Sequence, residues 1–151
     1  MRGGAGESGF TLTEALLVLA LLAVLVGLAI PAVAASSASA RLERAAAEYA
    51  GALREARANA IAESVPWSVT VPETGQNAYA LARLDSGRWQ TERTAELQGV
   101  TVAGTDPAGV SRVTFYPSGG PEPACQVVLT AGARSCTITV APATGRVSIS
   151  R

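Results

Sequence analysis

The sequence contains no lysine and no histidine: all 12 basic residues are arginine, and 12 acidic residues balance them. Without imidazole the chain cannot build a Ser-His-Asp or Cys-His catalytic group or a histidine metal site. The Gly-x-x-x-x-Gly-Lys phosphate loop and the Gly-x-Ser-x-Gly nucleophile elbow are missing too. Zero net charge removes any global attraction to nucleic acid. These absences argue against an enzyme, and neither a cofactor nor a metal site is expected. With 151 residues, of which 116 follow Ala35 (151 minus 35), the chain is long enough for one modest core.

What the sequence does have is an apolar run from Ala15 to Ala35, immediately preceded by Glu14. About 20 apolar residues at 1.5 Å each cover a hydrocarbon core of roughly 30 Å. An acidic residue at the edge of such a run costs several kcal/mol unless it is paired or reaches water, so it calls for a function. Three readings compete. A secretory signal peptide is supported by Ala32-Val33-Ala34 and Ala38-Ser39-Ala40, both small-residue cleavage patterns, but the run exceeds a usual h-region and Glu7 and Glu14 precede it against a single Arg2. A plain membrane anchor leaves Glu14 unexplained. The third reading is a polar leader ending at Gly9, cleavage there, and a new amino terminus on Phe10 whose charge is available to Glu14.

Beyond the run, Leu42, Ala46, Tyr49, Leu53, Ala56 and Ala60 recur at helical spacing, with Arg41, Glu43, Arg44, Glu48, Arg54, Glu55, Arg57 and Glu63 between them. This predicts one long helix from Phe10 to about Glu63, solvated on its charged face and kinked just before Pro31. From Pro66 the period becomes two. Trp67, Val69 and Val71 begin a series continued by Tyr79 and Leu81, Val100 and Val102, Val113 and Phe115, Val127 and Leu129, Ile138 and Val140, and Val147 and Ile149. Turn residues separate these pairs. The expected fold is α+β: a long helix, membrane-spanning in its first half and amphipathic in its second, packed on an antiparallel sheet with one polar face.

Gly9-Phe10-Thr11-Leu12-Thr13-Glu14 ahead of an apolar helix resembles the class III signal of type IV prepilins and type II secretion pseudopilins. The resemblance implies cleavage after Gly9 by prepilin peptidase, N-methylation of Phe10, and an assembly role for Glu14, paired with the Phe10 amine of an adjacent subunit. Four segments follow: a leader over 1–9, a transmembrane and assembly helix over 10–35, an amphipathic helix over 36–63, and a β domain over 64–151. Leu53-Arg54-Glu55-Ala56-Arg57, Pro66-Trp67-Ser68-Val69, Val113 through Gly119, and Gly145-Arg146-Val147 further resemble GspH/FimT-like minor pilins and pseudopilins.

That resemblance implies a structural subunit of a type IV pilus or type II secretion filament. It would lie in the bacterial inner membrane with its globular domain on the periplasmic side, and then enter the filament. Its implied partners are prepilin peptidase, other pilin subunits, the inner-membrane assembly platform and, before assembly, membrane lipid. The position of Pro31 resembles pilus subunits more than secretion pseudopilins, and an H-type pseudopilin is the close alternative. DNA capture in natural transformation is a further alternative: Gly145-Arg146-Val147-Ser148 keeps one arginine of that group's Gly-Arg-x-Arg, with Arg134 and Arg151 as other candidate contacts. Cys125 and Cys136 are the only cysteines. Strand parity gives their thiols a common face, and an exported domain sits where bridges persist, so one intramolecular disulfide is expected.

Overall fold

The computed structural model describes residues 11–150, with side chains described throughout except over 26–36. One helix, α1, runs from Leu12 to Glu63. Thr11 caps it: its carbonyl accepts the Glu14 and Ala15 amides at 3.1 Å each, and its hydroxyl lies 3.3 Å from the Glu14 amide. Thr11 and Glu14 stand at the Ser/Thr-x-x-Glu spacing of a capping box, so Glu14 also complements the helix dipole in the first turn. At the other end Ser64 takes a left-handed conformation (φ 56°) and Pro66 follows, the usual way to stop a helix. Trp67 Nε1 donates to Glu63 Oε2 at 3.1 Å and ties the first strand to the last helical turn.

The chain divides into two compact units, one through Ser36 and one from Ser37 onward. In the second unit the strands form two antiparallel sheets instead of the expected one. With β1 at Trp67–Thr70, β2 at Ala78–Asp85, β3 at Arg88–Glu96, β4 at Thr101–Asp106, β5 at Arg112–Phe115, β6 at Pro121–Glu122, β7 at Gln126–Ala131, β8 at Arg134–Val140 and β9 at Val147–Ser150, the orders are β3-β2-β1-β5-β6 and β4-β7-β8-β9. Hairpin β2–β3 closes through Ser86 (φ 48°) and Gly87 (φ 80°), positive at both central positions as a type I′ turn requires.

All six apolar positions that helical spacing picks out, Leu42, Ala46, Tyr49, Leu53, Ala56 and Ala60, are buried in a single core with residues of both sheets, among them Val69, Leu81, Val113, Phe115, Val127, Leu129 and Ile138. Tyr49 is wholly buried; its hydroxyl donates to the Thr70 carbonyl at 3.3 Å and its ring meets Tyr79 edge-on at 5.3 Å. Burial drives the Tyr49 pKa up, and burial followed by the neighbouring Glu48 carboxylate raises Tyr79 to about 12. Strand β3 differs from its neighbours: it is exposed along nearly its whole length, because Arg-Trp-Gln-Thr-Glu-Arg-Thr-Ala-Glu supplies no apolar face.

Candidate functional site

Two regions combine unusual chemistry with a defined place in the fold. The first is the start of α1. Leu12, Leu16, Leu17, Leu19, Leu21, Leu22, Val24 and Leu25 are all exposed, the least covered of them at 81%. The only acidic group of this stretch is Glu14, in the first turn. The expected cleavage and methylation residues Gly9 and Phe10 lie outside the described residues, as do the side chain of Pro31 and all of Arg151. Among the described residues no helix is long and apolar enough to cross a membrane. The run expected to span, 10–35, has described side chains only as far as Leu25.

The second region is a junction of three of the sequence stretches singled out above. Arg57, on α1, donates Nε–H to the carbonyl of Gly119 at 3.1 Å. Gly119 (φ 81°) and Gly145 (φ 62°) both use backbone conformations that side chains rarely adopt. A methyl group at Gly145 would collide with the Gly119 carbonyl and meet Arg57 Cδ and Nε at 3.0 Å each. The Gly-Arg dipeptide at 145–146 is therefore first a packing motif, with the glycine letting two turns and a guanidinium meet. Next to it Arg54 donates to the Val147 carbonyl at 3.3 Å. Arg54, Arg57, Thr144 and Arg146 border a pocket of about 340 Å³. Among the described residues the ion pairs are Arg83–Glu63, Arg83–Glu92 and Arg93–Glu55, so none of these three arginines has a carboxylate at ion-pair distance.

Arg134 and Arg146 lie apart in the second sheet. Arg134 opens β8, whereas Arg146 precedes Val147, which pairs with Val140 six residues further along that strand, about 20 Å at 3.3 Å per residue. Arg146 groups with Arg54 and Arg57 instead, a grouping that sequence spacing cannot show. The Cys125–Cys136 bridge is also absent. Leu129 pairs with Cys136 and Gln126 with Thr139, and the Val140 amide donates to the Cys125 carbonyl at 2.8 Å. Cys125 therefore stands opposite Val140, four residues along the ladder from Cys136, roughly 13 Å. Parity gives the two thiols one face, but bridging requires Cα atoms within about 7 Å. Both cysteines are buried, and burial raises the Cys125 thiol to about 11.

Among the described residues no group of three His, Cys, Asp or Glu side chains is arranged to hold a metal ion. A family profile described as type II transport protein GspH matches residues 45–145, which takes in most of the buried part of α1, strands β1 to β8, and Arg54, Arg57, Gly119 and Gly145 of the arginine junction. The chain belongs to the GspH family. Its fold is similar to that of solved structures. The type IV minor pilin FimU of Pseudomonas aeruginosa aligns with a TM-score of 0.61 at 18% identity, covering 73% of this chain and 88% of that one. The minor pseudopilin EpsH from the type 2 secretion system of Vibrio cholerae aligns with a TM-score of 0.58 at 14% identity, covering 72% and 95%. No curated protein sequence matches this GspH-family chain.

Proposed function

We propose that this chain is a minor pilin or pseudopilin, a structural subunit that enters a filament through its N-terminal helix and has no catalytic role. The observation that carries the reading is the exposed, nearly uncharged start of α1 on a GspH-family domain whose own core is already filled. Such a helix has no soluble partner, so it rests in lipid until the matching helices of neighbouring subunits replace lipid around it. Prepilin peptidase cuts after Gly9, and Phe10 is methylated. The Glu14 carboxylate then meets the Phe10 amine of an adjacent subunit. Wrong registers leave that carboxylate buried and unpaired, which is how one charge selects the axial offset.

The membrane-bound form exposes its globular domain on the periplasmic side, and the assembly platform lifts it into the filament. The filament is a type IV pilus on the strength of Pro31, with the type II secretion filament as the alternative. Mass spectrometry of membrane-extracted protein tests the reading: the expected amino terminus is Phe10 with one added methyl. A terminus at Ala35 or Arg41, the signal-peptidase products, would remove the helix and end the proposal. Glu14→Ala is expected to be processed and retained in the membrane but recovered poorly in sheared filaments; recovery at the wild-type level would refute the docking role.

A further inference from the structure

Arg54 and Arg57 stand three residues apart on α1 and so share one face of the helix. The other positions three and four away from them hold Ala50, Gly51, Leu53, Ala58, Ala60 and Ile61, so no carboxylate of their own helix faces them. The nearby helix carboxylates are engaged elsewhere, Glu55 with Arg93 at 2.8 Å and Glu63 with Arg83 at 3.9 Å. Arg112 is accounted for as well, since its guanidinium lies over the Trp89 ring at 4.7 Å. Arg54, Arg57 and Arg146 are instead gathered around the pocket of about 340 Å³, with no carboxylate among the described residues at ion-pair distance.

Two backbone carbonyls hold this arrangement. Arg57 gives its Nε–H to Gly119 and Arg54 gives an Nη2 hydrogen to Val147, so each guanidinium spends one N–H and keeps the rest for another acceptor. Side chains anchored in this way lose little further freedom on binding. Arg146 lines the same pocket, and its amide donates to Thr144 Oγ1 at 3.3 Å. Like charges placed around one pocket repel, and an anion seated among them removes that cost. Guanidinium forks take planar oxyanions edge-on through paired N–H bonds, which suits carboxylates and phosphates alike. The form of the site decides between them. The phosphates of a nucleic-acid strand are tracked by an extended basic groove with aromatic side chains for the bases. Here the site is a single concavity whose walls include no aromatic residue, and a net charge of +1 over 41–151 (11 Arg minus 10 acidic residues) gives no long-range attraction.

We infer that the pocket of Arg54, Arg57 and Arg146 receives a short acidic segment from the globular part of a neighbouring subunit, seating a pair of adjacent Asp or Glu carboxylates. The inference rests on the filament reading above for the source of that segment. One carboxylate takes the free N–H groups of Arg54 and Arg57. The second meets Arg146 and the Thr144 hydroxyl, whose proton is free to donate because its oxygen is the acceptor for the Arg146 amide.

The test uses the full chain in cells that build the filament. A photoreactive benzoylphenylalanine replaces the exposed Ala58, four residues from Arg54 on the same helix face, the cells are irradiated, and cross-linked peptides from sheared filaments are identified by mass spectrometry. The expected adduct is a subunit peptide with Asp or Glu beside the cross-linked residue. Adducts to DNA, to lipid or to a segment without acidic residues would overturn the inference. In a second arm, Arg146→Glu turns attraction into repulsion and is expected to lower filament incorporation about tenfold. Its denaturation midpoint should not move, because the Arg146 side chain is exposed. Arg88→Glu, at an exposed position on β3, is expected to change neither quantity. Replacing the partner's cross-linked acidic residue by Arg in the Arg146→Glu background should restore incorporation, and no recovery would refute the pairing. If Arg146→Glu entered filaments at the wild-type level, the pocket assignment would fail while the subunit reading stood. Absence of the wild-type chain from filaments would remove the reading beneath it.

Discussion

Residues 12–25 and 42–60 belong to the same helix and meet opposite fates. The first stretch is the richer in leucine, yet its large side chains are exposed; the second buries Ala45, Ala46, Ala50, Ala52, Ala56 and Ala60 together with Leu42, Tyr49 and Leu53. Hydrophobicity by itself does not decide which is covered. The alanines let both sheets come close to the helix axis, and bulk comes from Phe115, Leu129 and Ile138 on the strands and from Leu97 just after β3. Charge tells the two apart better. The covered stretch alternates with Arg44, Glu48, Arg54, Glu55 and Arg57 and so has a face made for water, whereas beyond Glu14 the exposed stretch has no wet face. An apolar surface of this size on a folded domain marks an interaction site.

Truncating one leucine in each stretch would test that contrast most severely. Leu53→Ala is expected to destabilise the globular domain by about 3 kcal/mol, the transfer loss plus the cavity left behind. Leu17→Ala, at a position 63% exposed, should leave urea unfolding of the same domain unchanged and act only on membrane retention and filament entry. Equal destabilisation by both would mean that the N-terminal stretch helps hold the domain, and the comparison would collapse.

A second substitution sharpens the account of the covered half, which organises loops as well as burying apolar area. Gly145→Ala forces a left-handed backbone on a residue with a side chain and drives its methyl into the Gly119 carbonyl and Arg57. The expected loss is about 2 kcal/mol from strain and displacement together. Restoring stability by adding Arg57→Ala would locate the clash at the guanidinium. No restoration would place it at the Gly119 carbonyl.

How much of this was legible in the sequence follows the same divide. The stripe from Leu42 to Ala60 could be read because a helix facing a sheet imposes a period of 3.6, and the core strands because a half-buried strand imposes a period of two. Strand β3 left no such trace: pairing with β2 satisfies its backbone, and of its side chains only Trp89, half-covered beneath the Arg112 guanidinium, and Ala95, packed against the core, are not exposed. The split into two sheets was hidden because alternation records which face is buried and says nothing of which neighbour a strand takes. The arginine junction joins Arg57, Gly119 and Gly145, far apart in the chain, and only their membership in three matching stretches pointed towards it. Thr11 and Glu14 did show the spacing of a capping box, a local role that stands beside the proposed assembly role of the same carboxylate.

The smallest expected effect concerns the cysteines, both buried in the core that forms under the covered half of α1. A bridge closing a loop of this length would contribute about 3 kcal/mol in the chain-entropy model, so its presence or absence is easily read from stability. Register pairing holds the two sites four residues apart on adjacent strands, too far for a bond without dismantling the β7–β8 ladder. Adding reductant to the exported protein is therefore expected to leave the denaturation midpoint unchanged, and peptide mapping after alkylation in denaturant should recover both Cys125 and Cys136 alkylated. A midpoint that fell on reduction, with a Cys125–Cys136 peptide in the unreduced map, would require a slipped hairpin. Such a slip would also shift Ile149 and Cys136 relative to α1.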